Sequence, residues 1–432
     1  MINQKKIINF LFYFTPLLPL GFISGPLIPE IIMGISIIFF LIILIKDKNL
    51  EILHNKFSQV FFIFYFYLVI ISFLSDNILV SLKNSLFYFR FYLFAICVFY
   101  LIENKKKYLE FFYKILKLCI LLVFIFGFLE FFFNFNFLNV ENNPEKFSGR
   151  VSGLFGDEYI MGSYLLRIAP LFVSLNLYLK KGYKQLLPFS LLILFGVFFS
   201  GERTSFVLII LFFIVSSFFF NISKKKIILF YSICSIFLLV ISYFNNNIII
   251  RYVNISLSQV FPSEENNERY IYLSNLKNPK LVDIYDNIKN LDTENIRIFS
   301  NEHQNHIILA SKIFSDNWLN GVGPKMFRFE CGKYSSEHRA CSTHPHNILL
   351  LFLSELGIIG FLFLLSFYVW LLYVLFFFNK DLIKGYTKVL TIGFFITMFP
   401  FLPSGNFFNN WLSMITFLPL GFLFFFKKQN TN

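Results

Sequence analysis

The sequence predicts an all-α polytopic integral membrane protein of about twelve transmembrane helices, with one large and partly helical loop outside the membrane. Of the 432 residues, 56% are hydrophobic and only 15% are charged, whereas about a quarter of the residues of a soluble domain are charged. Lysines stand in short clusters between apolar runs, which indicates membrane topology. The net charge of +13 therefore predicts no nucleic-acid partner.

Apolar runs of the length of a membrane crossing recur along the chain. Hydrocarbon about 30 Å thick needs roughly 20 apolar helical residues. The predicted crossings lie near residues 7–24, 27–45, 58–75, 84–102, 111–133, 158–178, 186–200, 204–220, 227–244, 347–378, 388–403 and 409–426. Prolines interrupt the first two. The run 347–378 is long for one crossing, so we expect one of its ends to project from the membrane.

Twelve crossings place both termini on the same side, and every lysine cluster then falls on that side. Cytoplasmic loops carry the excess of lysine and arginine, so this side is the cytoplasm. No small-residue cleavage site follows the first apolar run, which we therefore interpret as an anchor. The clusters are Lys5/Lys6, Lys46/Lys48/Lys56, Lys105–Lys107, Lys180/Lys181/Lys184, Lys224–Lys226, Lys380/Lys384/Lys388 and Lys427/Lys428.

One loop, residues 245–345, separates helices 1–9 (residues 1–244) from helices 10–12 (residues 346–432). It is polar and lies on the outer face, and loops of this length are usually functional. Apolar spacing predicts a helix over 296–316, and "NGVGP" at 320–324 predicts a turn. Cys331 and Cys341 both lie in this loop, where an oxidising compartment would permit a disulfide.

Five of the six histidines lie between His303 and His346. A helix is predicted to begin at "THPHN", with Pro345 in its first turn. His346 would then lie near the positive end of the helix dipole, which disfavours a protonated imidazole and suits a general base. The alternative is that His346 only caps the helix or contacts lipid headgroups.

Several arginines lie toward the outer face or inside predicted crossings near it. A buried arginine in a membrane is costly and therefore a candidate functional residue, and its planar guanidinium suits phosphate. Structural ion pairs with acidic residues are the alternative. The arginines are Arg90, Arg150, Arg167, Arg203 and Arg297.

No metal site is predicted. "EHQNH" at 302–306 differs from the His-Glu-x-x-His zinc pattern, and His344 with His346 supplies only two ligands.

"HNILLLFLSELGIIG" resembles the signature of the O-antigen ligase and polymerase family of bacterial envelope glycosyltransferases. That signature is His followed by Asn, Ser or Gln, nine variable residues, and Gly-x-x-Gly, which His346, Asn347, Gly357 and Gly360 match. "GRVSGLFGDEYIMGSYL" at 149–165 and "WLNGVGPKMF" at 318–327 also resemble the family, whose core would cover about 150–375. Glu158 departs from it, since relatives often have Asn there.

The resemblance implies transfer of a glycan from undecaprenyl pyrophosphate to a hydroxyl at the periplasmic face of the bacterial inner membrane, without metal or other cofactor. It implies an inverting displacement with His346 as the base that activates the acceptor. Arg203 and Arg297 would hold the pyrophosphate, Arg90 and Arg150 would assist, and Asn347 would orient the histidine or a sugar.

Three alternatives stay open at this point. A ligase transfers the chain to lipid A-core, whereas a polymerase of the same family extends a growing glycan on its lipid carrier. A transporter of lipid-linked sugars would typically show internal repeats and a polar midplane site, and this sequence shows no repeat. A membrane scaffold would tolerate the loss of His346.

Overall fold

The computed structural model describes residues 4–47, 51–135, 137–138, 150–219, 223–244, 246–261, 268, 300–334, 341–376 and 385–431, and contains helices but no strand in these ranges. The helices, here numbered in chain order, are α1 (Gln4–Phe14), α2 (Leu18–Gly21), α3 (Leu27–Asp47), α4 (Lys56–Phe73), α5 (Ile78–Ser85), α6 (Phe89–Asn104), α7 (Lys107–Phe133), α8 (Met161–Tyr178), α9 (Tyr183–Phe199), α10 (Arg203–Ser217), α11 (Lys224–Phe244), α12 (Asn246–Ile249), α13 (Ile255–Val260), α14 (Asn301–Asp316), α15 (Phe327–Tyr334), α16 (Ile348–Phe376), α17 (Gly385–Thr397) and α18 (Asn410–Thr431).

The predicted fold class is confirmed. Within the described ranges, eight helical stretches are long and apolar enough to cross a membrane: Gln4–Ser24, Leu27–Asp47, Lys56–Phe73, Ile78–Asn104, Lys107–Phe133, Lys224–Tyr243, Ile348–Phe376 and Asn410–Gln429. Helices α9 and α10 are apolar but shorter, and α8 and α17 cover the other two predicted crossings. Every predicted crossing is thus helical, and the number twelve stays a prediction.

The chain forms two compact units. The first comprises Met1–Cys119, Arg167–Lys180 and Asn305–Asn432, and the second comprises Ile120–Leu166 and Lys181–Gln304. The polar loop is therefore divided between the units, because the chain from Asn305 onward belongs to the first.

In the first unit, α18 packs along α6, α3 and α17, and α16 packs on α17 and α4. Aromatic side chains fill these contacts: the rings of Phe61 and Tyr92 stack with centroids 4.5 Å apart. The Tyr92 hydroxyl also lies 2.5 Å from Ser58 Oγ, where both groups are buried. Hydroxyl pairs of this kind join membrane helices, because lipid offers buried polar groups no water.

In the second unit, α9 and α10 are joined by the tight turn Ser200–Glu202. The Phe198 ring stacks on Tyr252 with centroids 5.3 Å apart, and the Tyr252 hydroxyl donates to the Phe198 carbonyl over 2.9 Å. These contacts fix the segment 250–256 against the turn. The turn is important because Arg203, the first residue of α10, follows it directly.

The long apolar segment beginning at residue 348 contains a break that the sequence analysis did not predict. Gly357 has φ 63° and ψ −166°, outside the helical region. The part after the break, residues 358–376, would span about 28 Å as a helix, which is the thickness of one crossing. The break thus divides a segment that the sequence pattern presents as continuous.

A second stretch of chain, residues 318–323, pairs with this break through backbone hydrogen bonds. The Ile358 amide donates to the Trp318 carbonyl over 2.8 Å, and the Gly323 amide donates to the Glu355 carbonyl over 2.8 Å. The approach is so close that a Cβ on Gly357 would lie 2.3 Å from the Leu319 carbonyl oxygen. Two of the three stretches that resemble the family, 318–327 and the histidine motif, are therefore in direct contact.

We expect Gly357→Ala to destabilise the protein by at least about 2 kcal/mol, because alanine is strained at this φ and its Cβ would displace the paired backbone. Gly34→Ala is the matched control, since a Cβ there meets nothing within 4 Å on the helix α3. Thermal unfolding of both purified variants in detergent measures the difference. Equal melting temperatures would contradict the tight pairing.

Candidate active site

Helix α16 begins at Ile348, and Asn347 is its N-cap. The Asn347 Oδ1 accepts hydrogen bonds from the amides of Leu349 (2.9 Å) and Leu350 (3.2 Å). Its Nδ2 donates to the Pro400 carbonyl over 2.8 Å. The predicted helix start at Pro345 was therefore too early, because the asparagine side chain, and not the proline, caps the first turn.

His346 directly precedes this cap and has a left-handed backbone, with φ 51°. Such a φ costs free energy for any residue other than glycine, and it persists only where the surroundings enforce it. Here the Ser404 amide donates to the His346 carbonyl over 2.8 Å. Residues held in this way are common at active sites, so the strain singles out His346.

The rings of His306, His344 and His346, which all belong to the first unit, lie close together. The ring centroid of His346 lies 4.0 Å from that of His344 and 5.2 Å from that of His306. His306 and His344 are buried, with 4% and 9% of their surfaces exposed.

The sequence analysis missed the role of His306. The predicted helix over 296–316 is observed from Asn301, as α14. His306 begins its buried stripe, which continues through Leu309, Ala310 and Ile313. This i, i+3, i+4, i+7 spacing is visible in the sequence and places the imidazole on the packed face of α14.

His344 is held as one neutral tautomer. Its Nε2 lies 3.3 Å from the Ser404 carbonyl, so this nitrogen carries the proton and donates it. Its Nδ1, 2.9 Å from Thr343 Oγ1, is then the acceptor. Burial lowers the pKa of His344 to about 4, with smaller lowering effects from His306 and Arg328, against the hydrogen bond to Ser404, which raises it.

The histidine cluster is not arranged as a metal centre. Among the residues that the structure describes, no group of three His, Cys, Asp or Glu side chains is placed to hold a metal ion.

Of the predicted arginines, Arg90 lies in the first unit. Its Nη2 forms an ion pair with Glu30 Oε1 at 2.9 Å, and its guanidinium lies over the Phe91 ring, 4.9 Å from the centroid. Arg90 thus has an acidic partner on α3.

Arg150 and Arg203 lie in the second unit, with Arg251, which the sequence analysis did not select. Arg203 Nη1 donates to Ser256 Oγ over 3.2 Å, and Arg150 Nη2 donates to the Tyr159 carbonyl over 2.9 Å. Arg251 Nε donates to the Gly201 carbonyl over 3.1 Å. The pairing of Arg251 with the Gly201 turn has no signal in the sequence. Arg297 lies outside the described residues.

Glu202 occupies the N-terminus of α8 in the same unit. Its Oε1 accepts from the amides of Gly162 (2.6 Å) and Ser163 (3.1 Å), and its Oε2 accepts from Ser205 Oγ (3.0 Å). Burial raises the pKa of this carboxyl, although these hydrogen bonds and Arg150 oppose the rise. The position of a carboxylate at a helix N-terminus is electrostatically favourable.

Two further cations of the first unit, Lys325 and Arg328, follow the loop 318–323 along the chain. Lys325 has φ 61°, and its amide donates to Glu355 Oε2 over 2.7 Å. Arg328 lies on α15, close enough for its charge to act on both Lys325 and His344. The sequence analysis quoted residues 318–327 only for their turn and their resemblance, and it did not select Arg328.

A large apolar cavity of about 1300 Å³ also lies in the first unit. Its lining runs along α18 from Thr416 to Lys428, a distance of about 18 Å for a helix. One part of the lining, Phe352 and Phe407, lies a few residues from Asn347 and Ser404, and lysines lie at the other end. The size and lining suit a long apolar chain.

We expect the unfolding free energy to fall as the pH drops from about 6.5 to about 4. In this window the unfolded chain protonates His344 and the folded chain does not, so protons favour the unfolded state by up to about 3 kcal/mol. Unfolding of wild type and His344→Gln in detergent, followed from pH 7.5 to 4.5, measures this term. The unfolding free energy of His344→Gln should depend less on pH than that of the wild type. An equal pH dependence of the two proteins would contradict the assignment of a neutral, buried imidazole to His344.

Comparison with known proteins agrees with the motif resemblance. Residues 188–365 match the family model described as O-antigen ligase. The matched range includes Arg203, the loop 318–323 and His346, and it is narrower than the predicted core of about 150–375. The comparison with curated proteins gave no match. Residues 188–365 of this polytopic membrane protein are therefore similar to the O-antigen ligase family.

Proposed function

We propose that the protein is an inverting membrane glycosyltransferase that moves a glycan from undecaprenyl pyrophosphate to a hydroxyl of lipid A-core, at the periplasmic face of the inner membrane. The similarity of residues 188–365 to the O-antigen ligase family supports glycan transfer in general. The observation that carries the proposal is His346, a strained residue placed against two buried imidazoles beside the cap of α16.

In this mechanism His346 accepts the proton of the acceptor hydroxyl as the oxygen attacks the anomeric carbon. A new glycosidic bond forms, the bond from that carbon to the pyrophosphate oxygen breaks, and undecaprenyl pyrophosphate leaves with the electron pair. The proton on His346 then passes to water. Proton removal by a positioned base and charge stabilisation of the leaving group are the two contributions required.

The other histidines support this role through charge. Burial holds His344 neutral, although its hydrogen bond to Ser404 acts in the opposite direction, so its contact with His346 adds no positive charge that would oppose protonation of the base. Asn347 fixes the start of α16 and the loop at Pro400. We propose that Asn347 orients His346, which is one of the two roles that the sequence analysis gave to it.

For the pyrophosphate we retain Arg203 and Arg297 as predicted ligands, with Arg90 and Arg150 in support. Arg90 already pairs with Glu30, which favours an indirect role. The apolar cavity of the first unit offers space for the polyprenyl chain of the donor. A carrier of this kind needs an intramembrane groove, because its chain stays in lipid while its headgroup reacts.

A polymerase of the same family is the second candidate, since it shares the donor and the chemistry and differs only in the acceptor. The same observations support a polymerase, and only the product of the reaction distinguishes it from a ligase.

We expect His346→Ala to abolish glycan transfer, whereas His54→Gln, which removes the one histidine outside the region 303–346, should leave it intact. The measurement is a surface-glycan gel from a deletion strain complemented with each variant at equal expression. Polymer retained on its lipid carrier with bare lipid A-core would identify a ligase. Lipid A-core with a single repeat would identify a polymerase, and full rescue by His346→Ala would refute the base.

We also expect transfer to continue after removal of divalent metal, because a pyrophosphate leaving group already carries its charge and His346 removes the proton. The measurement is the turnover of lipid-linked glycan by purified enzyme after EDTA treatment and dialysis. Inactivation that one added metal ion reverses would require a different mechanism.

A further inference from the structure

Hydrogen bonds to Glu355 hold the backbone around Lys325. Its amide donates to Glu355 Oε2 over 2.7 Å, and the Phe327 amide donates to Glu355 Oε1 over 3.2 Å. Both oxygens of this fully buried carboxylate are thus bonded to the backbone of one turn. The turn holds Lys325 at φ 61°, a conformation that lysine rarely adopts.

The side chain of Lys325 is not held in the same way as its backbone, and the side chain of Arg328 is exposed. Lys325 is half-buried, and no described residue pairs with its Nζ or with the guanidinium of Arg328. Lys333, five residues after Arg328, has the acidic partners that are usual for a lysine. Its Nζ pairs with Asp76 at 2.7 Å and with Glu330 at 2.8 Å. A half-buried cation without a partner is unfavourable, unless a ligand supplies the anion.

The charges that face Lys325 are mainly positive. Burial lowers its pKa, and Arg328, Arg90 and Lys83 lower it further, while Glu355 opposes them. Arg90 is paired with Glu30. Among the charges that act on Lys325, the carboxylate is that of Glu355, whose oxygens are already bonded to the backbone. The region has an excess of positive charge.

The disulfide ties α15, which carries Arg328, to the segment that carries the histidines. Cys331 and Cys341 are bonded, with their Cα atoms 5.4 Å apart. Arg328 precedes Cys331 by three residues, and His344 follows Cys341 by three. The positive charge of Arg328 accordingly acts on the His344 imidazole, whose ring is 4.0 Å from that of His346.

We propose that Lys325 and Arg328 contribute two further cations to the binding of the pyrophosphate of the lipid-linked donor. This assignment rests on the proposed function. Two cations match the two phosphate groups: the guanidinium gives paired hydrogen bonds and the ammonium a point charge. As the glycosidic oxygen leaves, its developing negative charge is stabilised by cations that the fold has already positioned.

The test is direct binding of undecaprenyl pyrophosphate and undecaprenyl phosphate to the purified full-length protein in detergent, measured by thermophoresis. Lys325→Gly removes the ammonium and suits the left-handed φ, so it relieves backbone strain. Arg328→Gln removes the guanidinium, and Lys333→Gln is the control. We expect Lys325→Gly and Arg328→Gln each to weaken pyrophosphate binding on the order of tenfold, and Lys333→Gln to leave it unchanged.

The wild type should also prefer the pyrophosphate to the monophosphate, and Lys325→Gly and Arg328→Gln should lose that preference. Wild-type binding by both of these variants would overturn the role of the two cations and leave the glycosyltransferase proposal standing. An absence of preference in the wild type would overturn the assignment to a pyrophosphate. Failure of the wild type to bind either lipid would instead overturn the proposed function.

Discussion

The backbone pairing between residues 318–323 and the break at Gly357 is the constraint on which the rest of the first unit depends. It joins a loop that is polar in sequence to a helix that is almost wholly apolar, and it does so through main-chain bonds. Glu355 completes the contact because its carboxylate bonds the next turn of the loop. From this contact follow the place of α15, the conformation of Lys325 and, through the disulfide, the position of the histidine segment.

The same backbone pairing explains why residues with positive φ occur close to this contact. Lys325, His346 and Gly357 all have positive φ, and each lies within a few residues of an interlocking contact. A left-handed residue needs neighbours that leave it no alternative, and the paired backbones with the loop at Ser404 supply them. The candidate base is thereby held before any substrate arrives, which lowers the free energy of organising the site.

The helical membrane fold could be read from the sequence because it depends on local properties. Each apolar run that predicted a membrane crossing is helical, since a chain in lipid must satisfy its own backbone. His346 and Asn347 could be selected because their motif is contiguous. The break at Gly357 could not, because a glycine within an apolar run is compatible with a helix until a second segment pairs with it. His306 and Arg328 were missed because their importance comes from contacts across the loop.

The disulfide between Cys331 and Cys341 has a consequence for the order of assembly. It closes a short ring, and such rings stabilise a fold by about 2–3 kcal/mol through restriction of the unfolded chain. A bond of this kind forms only in an oxidising compartment. Protein made where thiols stay reduced would have its helices and yet lack the covalent tie between α15 and the histidine segment. Maturation of the site would then follow membrane insertion as a separate chemical step, open to control by the thiol oxidants of the envelope.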